Sequence, residues 1–206
     1  MRFLLISILA ISLFSCKSYE VKSGFVPRKA VEQNIQNLYF ADPAKDYVYK
    51  TQIDAYGKNY GGIMIMKKVS DSTHRVVLAT DFGNKLLDFE LSADAHHVNY
   101  IVDELDRKII VRTLVEDLRI LLSINQTAEE EFRTESAQVY KILSGKNRLY
   151  YFKNNSTQLL AKIVKASRTK EKVTFTFDSK NTTFVENITI QHTNIRLRIK
   201  LNQITD

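Results

Sequence analysis

The chain has 206 residues, of which 44% are hydrophobic and 26% charged, and its 30 Lys and Arg against 23 Asp and Glu give a formal net charge of +7. This length suits one domain with a sizeable core, and the composition excludes disorder along the whole chain. The one cysteine excludes an intramolecular disulfide and, with four scattered histidines, a cysteine-rich zinc site. The six glycines leave no Gly-rich phosphate loop.

The first sixteen residues have the pattern of a secretion signal that ends in a cysteine. Arg2 supplies a positive start, and residues 3–14 form an apolar run that is shorter than the roughly 20 residues needed to span a bilayer. Leu13 and Ser15 precede Cys16 in a way that resembles the lipobox of bacterial lipoproteins. The resemblance implies cleavage before Cys16, a diacylglyceryl group on its thiol and acylation of the new amine. No other cofactor is predicted.

Removal of residues 1–15 would leave a mature chain of 191 residues. Residues 16–26 are then expected to form an acylated polar tether, and residues 27–206 one domain. Two or three acyl chains hold a protein on a membrane durably, whereas one chain does so only marginally. The sequence therefore predicts a secreted protein that is anchored by lipid to the cell envelope.

Alternation of apolar and polar residues predicts two sets of β-strands. The first set covers residues 47–56, 61–69, 74–80, 85–92 and 98–102, and the second covers residues 138–143, 149–153, 158–166, 172–178, 185–191 and 195–201. Turn-forming residues separate the strands at intervals of about ten positions, which is typical of a meandering antiparallel sheet.

Between the two sets, the hydrophobic period becomes that of an amphipathic helix over residues 105–123, with Asp103 or Asp106 as its N-cap. Residues 125–137 are polar and acidic, which predicts a loop or an exposed turn of helix. Pro27 favours a shorter helix over residues 27–39. These elements indicate a curved antiparallel sheet that wraps an apolar helix.

Three features follow one another along the body of the chain: the hairpin of residues 75–91, the helix after strand 98–102, and the closing hairpin of residues 185–201. Together they resemble the LolA/LolB superfamily, and most closely LolB, the lipoprotein that receives other lipoproteins at the outer membrane. The resemblance implies a mainly β (α+β) fold in which the curved antiparallel sheet forms a half-open barrel covered by one or more helices.

The same resemblance implies that the inside of the barrel is an apolar concavity that accepts acyl chains. Apolar walls with few polar groups are what such a ligand requires. The alternative is that the same side chains pack together as a filled core, and the sequence leaves both interpretations open. The candidate wall residues are Ile63, Ile65, Val77, Leu87, Phe89, Tyr100, Leu114, Leu118, Phe175, Phe177, Leu197 and Ile199.

Phe82 and Gly83 occupy the tip of the first hairpin, where a surface turn is normally polar. In LolB the matching turn presents an exposed apolar residue to the membrane, so the resemblance implies a membrane-engaging role for Phe82 and Gly83. The alternative is that Phe82 folds back onto the sheet.

No catalytic or metal-binding constellation is evident in the sequence. His96 and His97 are adjacent on a predicted strand and therefore point to opposite faces of the sheet, and no nucleophile elbow is present. The chain is therefore predicted not to be an enzyme, and the absence of a catalytic constellation disfavours the remaining alternative, an envelope hydrolase. Clustered cations either favour anionic lipid head groups or form an ordinary solvated face, and they form no stripe suited to nucleic acid.

The predicted function is that of a LolB-like receptor that binds acyl chains and inserts lipoproteins into the outer membrane. The resemblance implies that the lipid anchor lies in the outer membrane and that the protein faces the periplasm. The expected partners are membrane lipid, acylated lipoprotein cargo and a soluble LolA-like carrier, with no nucleic acid. The alternative is a non-enzymatic structural or assembly lipoprotein that uses the same fold as a protein-binding scaffold.

Overall fold

The computed structural model describes residues 17–28 and 33–204 of the chain. These residues contain two α-helices, α1 (Tyr19–Lys22) and α2 (Lys108–Leu122), and a short 3-10 helix (Leu38–Phe40). Neither α-helix is both long enough and apolar enough to cross a bilayer. Cys16 lies outside the described residues.

The described residues also form fifteen β-strands. In chain order they are β1 (Val26–Pro27), β2 (Gln33–Gln36), β3 (Tyr47–Ala55), β4 (Lys58–Lys68), β5 (His74–Ala79), β6 (Lys85–Leu91), β7 (His96–Ile101), β8 (Asn125–Ala128), β9 (Glu130–Arg133), β10 (Ala137–Ser144), β11 (Asn147–Asn154), β12 (Leu160–Ala166), β13 (Glu171–Asp178), β14 (Asn187–His192) and β15 (Leu197–Gln203).

Thirteen of these strands form one antiparallel sheet in the order β1-β9-β10-β11-β12-β13-β14-β15-β3-β4-β5-β6-β7, and β2 pairs with β8 in a separate two-stranded sheet. The pairing of β15 with β3 joins the two meanders that precede and follow α2. The edge strands β1 and β7 do not pair with each other, so the described sheet is open. The protein is therefore α+β with mostly antiparallel β structure. This confirms the predicted class, a mainly β (α+β) fold with an antiparallel sheet.

Each strand predicted after residue 46 is present, with its ends shifted by at most three residues. Other parts of the local prediction were wrong. Residues 125–137 are not a loop or helix, because they form β8 and β9, and β9 pairs with β10. The described part of residues 27–39 forms strand and 3-10 helix instead of an α-helix. The N-cap of α2 is Arg107, whose side chain makes no capping hydrogen bond, and not Asp103 or Asp106.

Helix α2 covers one face of the large sheet, which we call the helix face, and the opposite side is the outer face. The buried stripe of α2 includes Ile110, Leu114, Leu118 and Leu121. These side chains belong to the same core cluster as the helix-face residues of both meanders. Burying one such side chain contributes roughly 1.5–3 kcal/mol. The main core therefore lies between α2 and the helix face.

A second, smaller core lies on the outer face of β9–β12, and the N-terminal segment (residues 17–28) covers it. Phe25 packs against Tyr19, Phe132, Tyr150 and Phe152, with ring centroids 5.6–5.9 Å apart. The cluster contains buried aromatic side chains from both the segment and the strands. The prediction that residues 16–26 form a polar tether was therefore wrong for residues 17–26, because Tyr19 and Phe25 bury apolar surface that the sheet leaves open.

Polar contacts also hold the N-terminal segment in place. Tyr150 donates a hydrogen bond from its hydroxyl to Glu20 Oε1 at 2.6 Å, and Lys141 Nζ lies 3.1 Å from the same oxygen. The backbone N–H of Tyr19 donates to the carbonyl of Arg168 at 2.9 Å. Residues Val26–Pro27 then continue as the edge strand β1 beside β9.

Candidate functional site

Eight of the twelve candidate wall residues lie in the main core, where each is almost completely buried. They come from the sheet on both sides of the β15–β3 pair and from α2. Within the described residues they pack against one another and against other buried side chains as one cluster, so the centre of the core is filled at these positions. These residues are Leu87, Phe89, Leu114, Leu118, Phe175, Phe177, Leu197 and Ile199.

The other four candidates, Ile63, Ile65, Val77 and Tyr100, are on the outer face, so their assignment to an inner wall was wrong. Ile65 is 41% exposed and Tyr100 is 45% exposed. Strand side chains alternate between faces, and the buried methionines on either side of Ile65 occupy the helix face of β4. The register places Ile65, Val77 and Tyr100 in one cross-strand row on the outer face.

The hairpin tip between β5 and β6 presents Phe82 to solvent, with 93% of its surface exposed. Gly83 has φ +85°, a left-handed conformation that suits glycine, and its N–H donates to the carbonyl of Thr80 at 2.9 Å. Asp81 forms an ion pair with Lys50 at 2.5 Å. The turn is therefore held by its backbone and by Asp81, while Phe82 makes no contribution to either core.

No group of three or more His, Cys, Asp or Glu side chains that could hold a metal ion occurs among residues 17–28 and 33–204. His96 and His97 are both exposed on the edge strand β7.

A cavity of about 590 Å³ lies beside the C-terminal half of α2, between the β4–β5, β6–β7 and β10–β11 hairpins. We call it the His74 cavity. Ligand sites in proteins commonly measure about 300–1,000 Å³. Its apolar lining comes from the helix, from the segment after it and from the hairpins: Leu91, Ile120, Leu122, Ile124, Leu143 and Leu149.

Two polar groups that line the His74 cavity have buried nitrogen atoms without a hydrogen-bond partner among the described residues. They are Arg119 Nη2 and His74 Nε2. Arg119 is held by one bond, in which its Nε donates to the carbonyl of Ser92 at 2.9 Å. Burial, helped by the nearby charge of Lys68, lowers the pKa of His74 and so favours the neutral imidazole. The cavity thus combines an apolar patch with a fixed guanidinium donor, a neutral histidine and further polar groups, among them Lys68, Asp71 and Glu116.

A second cavity, of about 860 Å³, lies along the N-terminal half of α2 and is called the His192 cavity. Glu116 Oε1 forms an ion pair with Lys165 Nζ there. His192 Nε2 lies 2.7 Å from Asp117 Oδ2, and both side chains are buried. Burial raises the pKa of Asp117, and the bond to His192 opposes that rise. This pair joins α2 to β14 inside the core.

Reasoning from the sequence did not identify the His74 cavity. One sequence signal was present for Arg119, which is a charged residue at the margin of the buried stripe of α2. It lies four residues after Val115 and three residues before Leu122, and residues at these spacings are neighbours on a helix surface. His74 gave no such signal. His74 lies on the same face of β5 as Val76 and Leu78, but only the tertiary structure brings the start of that strand beside α2.

Neither a scan against protein-family models nor a search of curated proteins finds a match to this chain.

Proposed function

We propose that the chain is a lipid-anchored envelope protein that binds acylated ligands beside α2 and passes them to a membrane, in the manner of LolB. In this proposal Cys16 carries the diacylglyceryl and acyl groups, and the large sheet curves as a half-open barrel around the helix. The cargo is an acylated lipoprotein that a soluble LolA-like carrier delivers. The protein acts at the outer membrane, without enzymatic chemistry.

One observation supports the proposal above the others: the lining of the His74 cavity includes both an apolar patch and Arg119, whose buried Nη2 has no hydrogen-bond partner among the described residues. An acyl chain would bury its methylene groups against Leu91, Ile120 and Leu149, at about 0.8 kcal/mol for each CH₂. The ester or amide carbonyl of the same ligand would accept the hydrogen bond that Arg119 offers. A buried donor without a partner costs about 1–3 kcal/mol, so a ligand that supplies an acceptor gains that amount.

Transfer through such a site needs no nucleotide. The direction of transfer depends on the difference between the affinities of donor and acceptor for the acyl group. Phe82, exposed at the tip of the β5–β6 hairpin, is the side chain that we assign to the membrane at the moment of release.

The test is binding and transfer of a fluorescent acylated peptide by the full-length acylated protein in detergent and in liposomes. Arg119→Leu should weaken acyl-ligand binding at least several-fold, because it removes the donor and keeps an apolar surface. Arg112→Leu is the matched control, since Arg112 is exposed on the same helix and does not line the His74 cavity. Equal binding by both variants and the parent protein would refute this site.

A protein-binding scaffold is the second candidate function, and the filled centre of the core favours it. Among the described residues, thirty-six buried side chains form the main cluster, including eight of the residues that we expected to line an acyl site. A scaffold requires no internal ligand. Failure of the parent protein to take acylated peptide from a carrier, together with purification free of any acylated species in native mass spectrometry, would select this function.

A further inference from the structure

The N-terminal segment brings the proposed acylation site close to the sheet. Tyr19 is buried on the outer face and bonded to the carbonyl of Arg168, and Lys22 Nζ donates to the carbonyl of Thr169 at 3.2 Å. Three peptide units separate Cys16 from Tyr19, so their Cα atoms can lie at most about 11 Å apart. An acyl group on Cys16 must therefore enter the membrane beside the turn that joins β12 and β13.

The protein surface around this point is basic. The β10–β11 and β12–β13 turns lie side by side, because Arg148 pairs with Ala166 and Lys172 Nζ donates to Asn147 Oδ1 at 2.8 Å. These turns and residues 17–22 of the N-terminal segment carry five exposed cations, which together we call the anchor surface: Lys17, Lys22, Lys146, Arg168 and Lys170.

The neighbouring carboxylates have partners within the protein. Glu20 is held by Tyr150 and Lys141. Glu171 accepts hydrogen bonds from the hydroxyls of Tyr19 at 3.3 Å and Thr174 at 2.5 Å. Glu130 is bonded to Lys141 Nζ at 2.6 Å. The cations of the anchor surface are therefore exposed, whereas these three acidic side chains are bonded within the protein.

We propose that the anchor surface binds anionic lipid head groups and that the docked N-terminal segment holds the protein on the membrane in one orientation. Each cation close to an anionic bilayer contributes about 1 kcal/mol, in addition to the acyl chains. This inference rests on the proposed acylation of Cys16, but it differs from the usual expectation for a lipoprotein, which is a domain moving freely on a flexible linker.

The orientation can be measured with a single fluorescent label. Cys16 is the only cysteine, and acylation blocks its thiol, so an introduced cysteine is the only site for a maleimide dye. Lys170→Cys places the dye on the anchor surface. Ser156→Cys is the matched control, because Ser156 lies in the exposed turn at the other end of β12, a strand of seven residues or roughly 23 Å.

Each labelled protein is incorporated into liposomes of phosphatidylcholine and phosphatidylglycerol that contain a lipid with a nitroxide on its head group. We expect the nitroxide to quench the dye at position 170 several-fold more strongly than the dye at position 156. In liposomes of phosphatidylcholine alone, or with Arg168→Glu and Lys22→Glu added, that difference should diminish. Equal quenching at the two positions in the anionic liposomes would overturn the inference.

Measurements on the parent protein, without an introduced cysteine, distinguish a failure of the proposed orientation from a failure of the proposed lipid anchor. Mass spectrometry of the membrane-extracted parent should show the acyl groups on Cys16, and the maleimide dye should leave it unlabelled. An unacylated, labelled Cys16 would overturn both the lipid anchor and the orientation. An acylated parent with equal quenching in its variants would overturn the orientation alone.

Discussion

Glu20 is the residue at which the N-terminal segment is most firmly bonded to the sheet, so Glu20→Gln tests whether that segment is docked. The substitution keeps the shape of the side chain and removes its charge. In the parent protein one carboxylate oxygen accepts a hydrogen bond from Tyr150 at 2.6 Å and lies 3.1 Å from Lys141 Nζ. The side chains of Glu20 and Lys141 are only 12% and 11% exposed, so water screens this interaction weakly.

The expected loss follows from the state of the carboxylate. Burial alone would raise the pKa of Glu20, but the hydrogen bonds from Tyr150, from the backbone and from Lys141 outweigh it and lower the pKa from 4.5 to about 2. Hydrogen bonds to charged groups contribute about 1.5–3 kcal/mol each. Because Lys141 keeps Glu130 as a partner, we expect Glu20→Gln to lower the free energy of unfolding by about 1.5–3 kcal/mol at pH 7.

The pH dependence has a definite sign. A carboxylate whose pKa is lower in the folded state stabilises that state fully above its unfolded pKa, and the contribution disappears as the pH falls through the folded value. The difference between parent and variant should therefore be constant above about pH 5 and shrink as the pH falls from 4.5 towards 2.

Urea unfolding of the acylated protein in detergent, followed by tyrosine fluorescence and circular dichroism, measures both quantities. Glu135→Gln is the control, since Glu135 is exposed in the β9–β10 turn. Equal stability of parent and Glu20→Gln at pH 7, or a difference that persists unchanged at pH 3, would refute the docking argument.

Two further predictions concern the faces of the sheet and the tip of the β5–β6 hairpin. Leu118→Ala should cost about 2–5 kcal/mol in urea unfolding, whereas Ile65→Ala on the outer face should cost less than about 1 kcal/mol; similar losses would contradict the assignment of faces. Phe82→Glu should change stability by no more than about 0.5 kcal/mol but reduce insertion of cargo lipoprotein into liposomes, and unchanged insertion would remove Phe82 from the proposed mechanism.

The strands could be predicted from the sequence because their alternation is local, but the faces of β4, β5 and β7 could not. Val76, Val77 and Leu78 make β5 apolar on both sides, so its pattern does not say which side faces α2. Ile63 and Ile65 alternate with Met64 and Met66, so β4 is apolar on both sides and its pattern does not say which side faces α2. Tyr100 was misplaced for another reason. A register shift between Asp88 and Phe89 sets the pairing of β6 with β7, and such a bulge has no reliable signature in one sequence.

The N-terminal segment was misjudged because its partners are remote in the chain. Tyr150 lies 130 residues after Glu20, and neither residue alone distinguishes a docked segment from a solvated one. The same limitation applies to the site. Arg119 on α2 and His74 on β5 line one cavity only because α2 packs against the sheet, and no periodicity in either element encodes that packing.

The unpartnered nitrogen of Arg119 also bears on the choice between lipid carrier and scaffold. A scaffold gains nothing from a buried guanidinium donor that lacks an acceptor, and such a donor costs about 1–3 kcal/mol. Arg119→Leu removes that cost and also removes the bond to Ser92, which contributes a similar amount because the donor is charged. The variant should therefore be about as stable as the parent protein. If the variant is as stable as the parent protein and still binds acylated peptide, Arg119 serves neither stability nor this ligand, and the case for a lipid site beside α2 fails. If the variant is equally stable but no longer binds the peptide, the donor is maintained for the ligand.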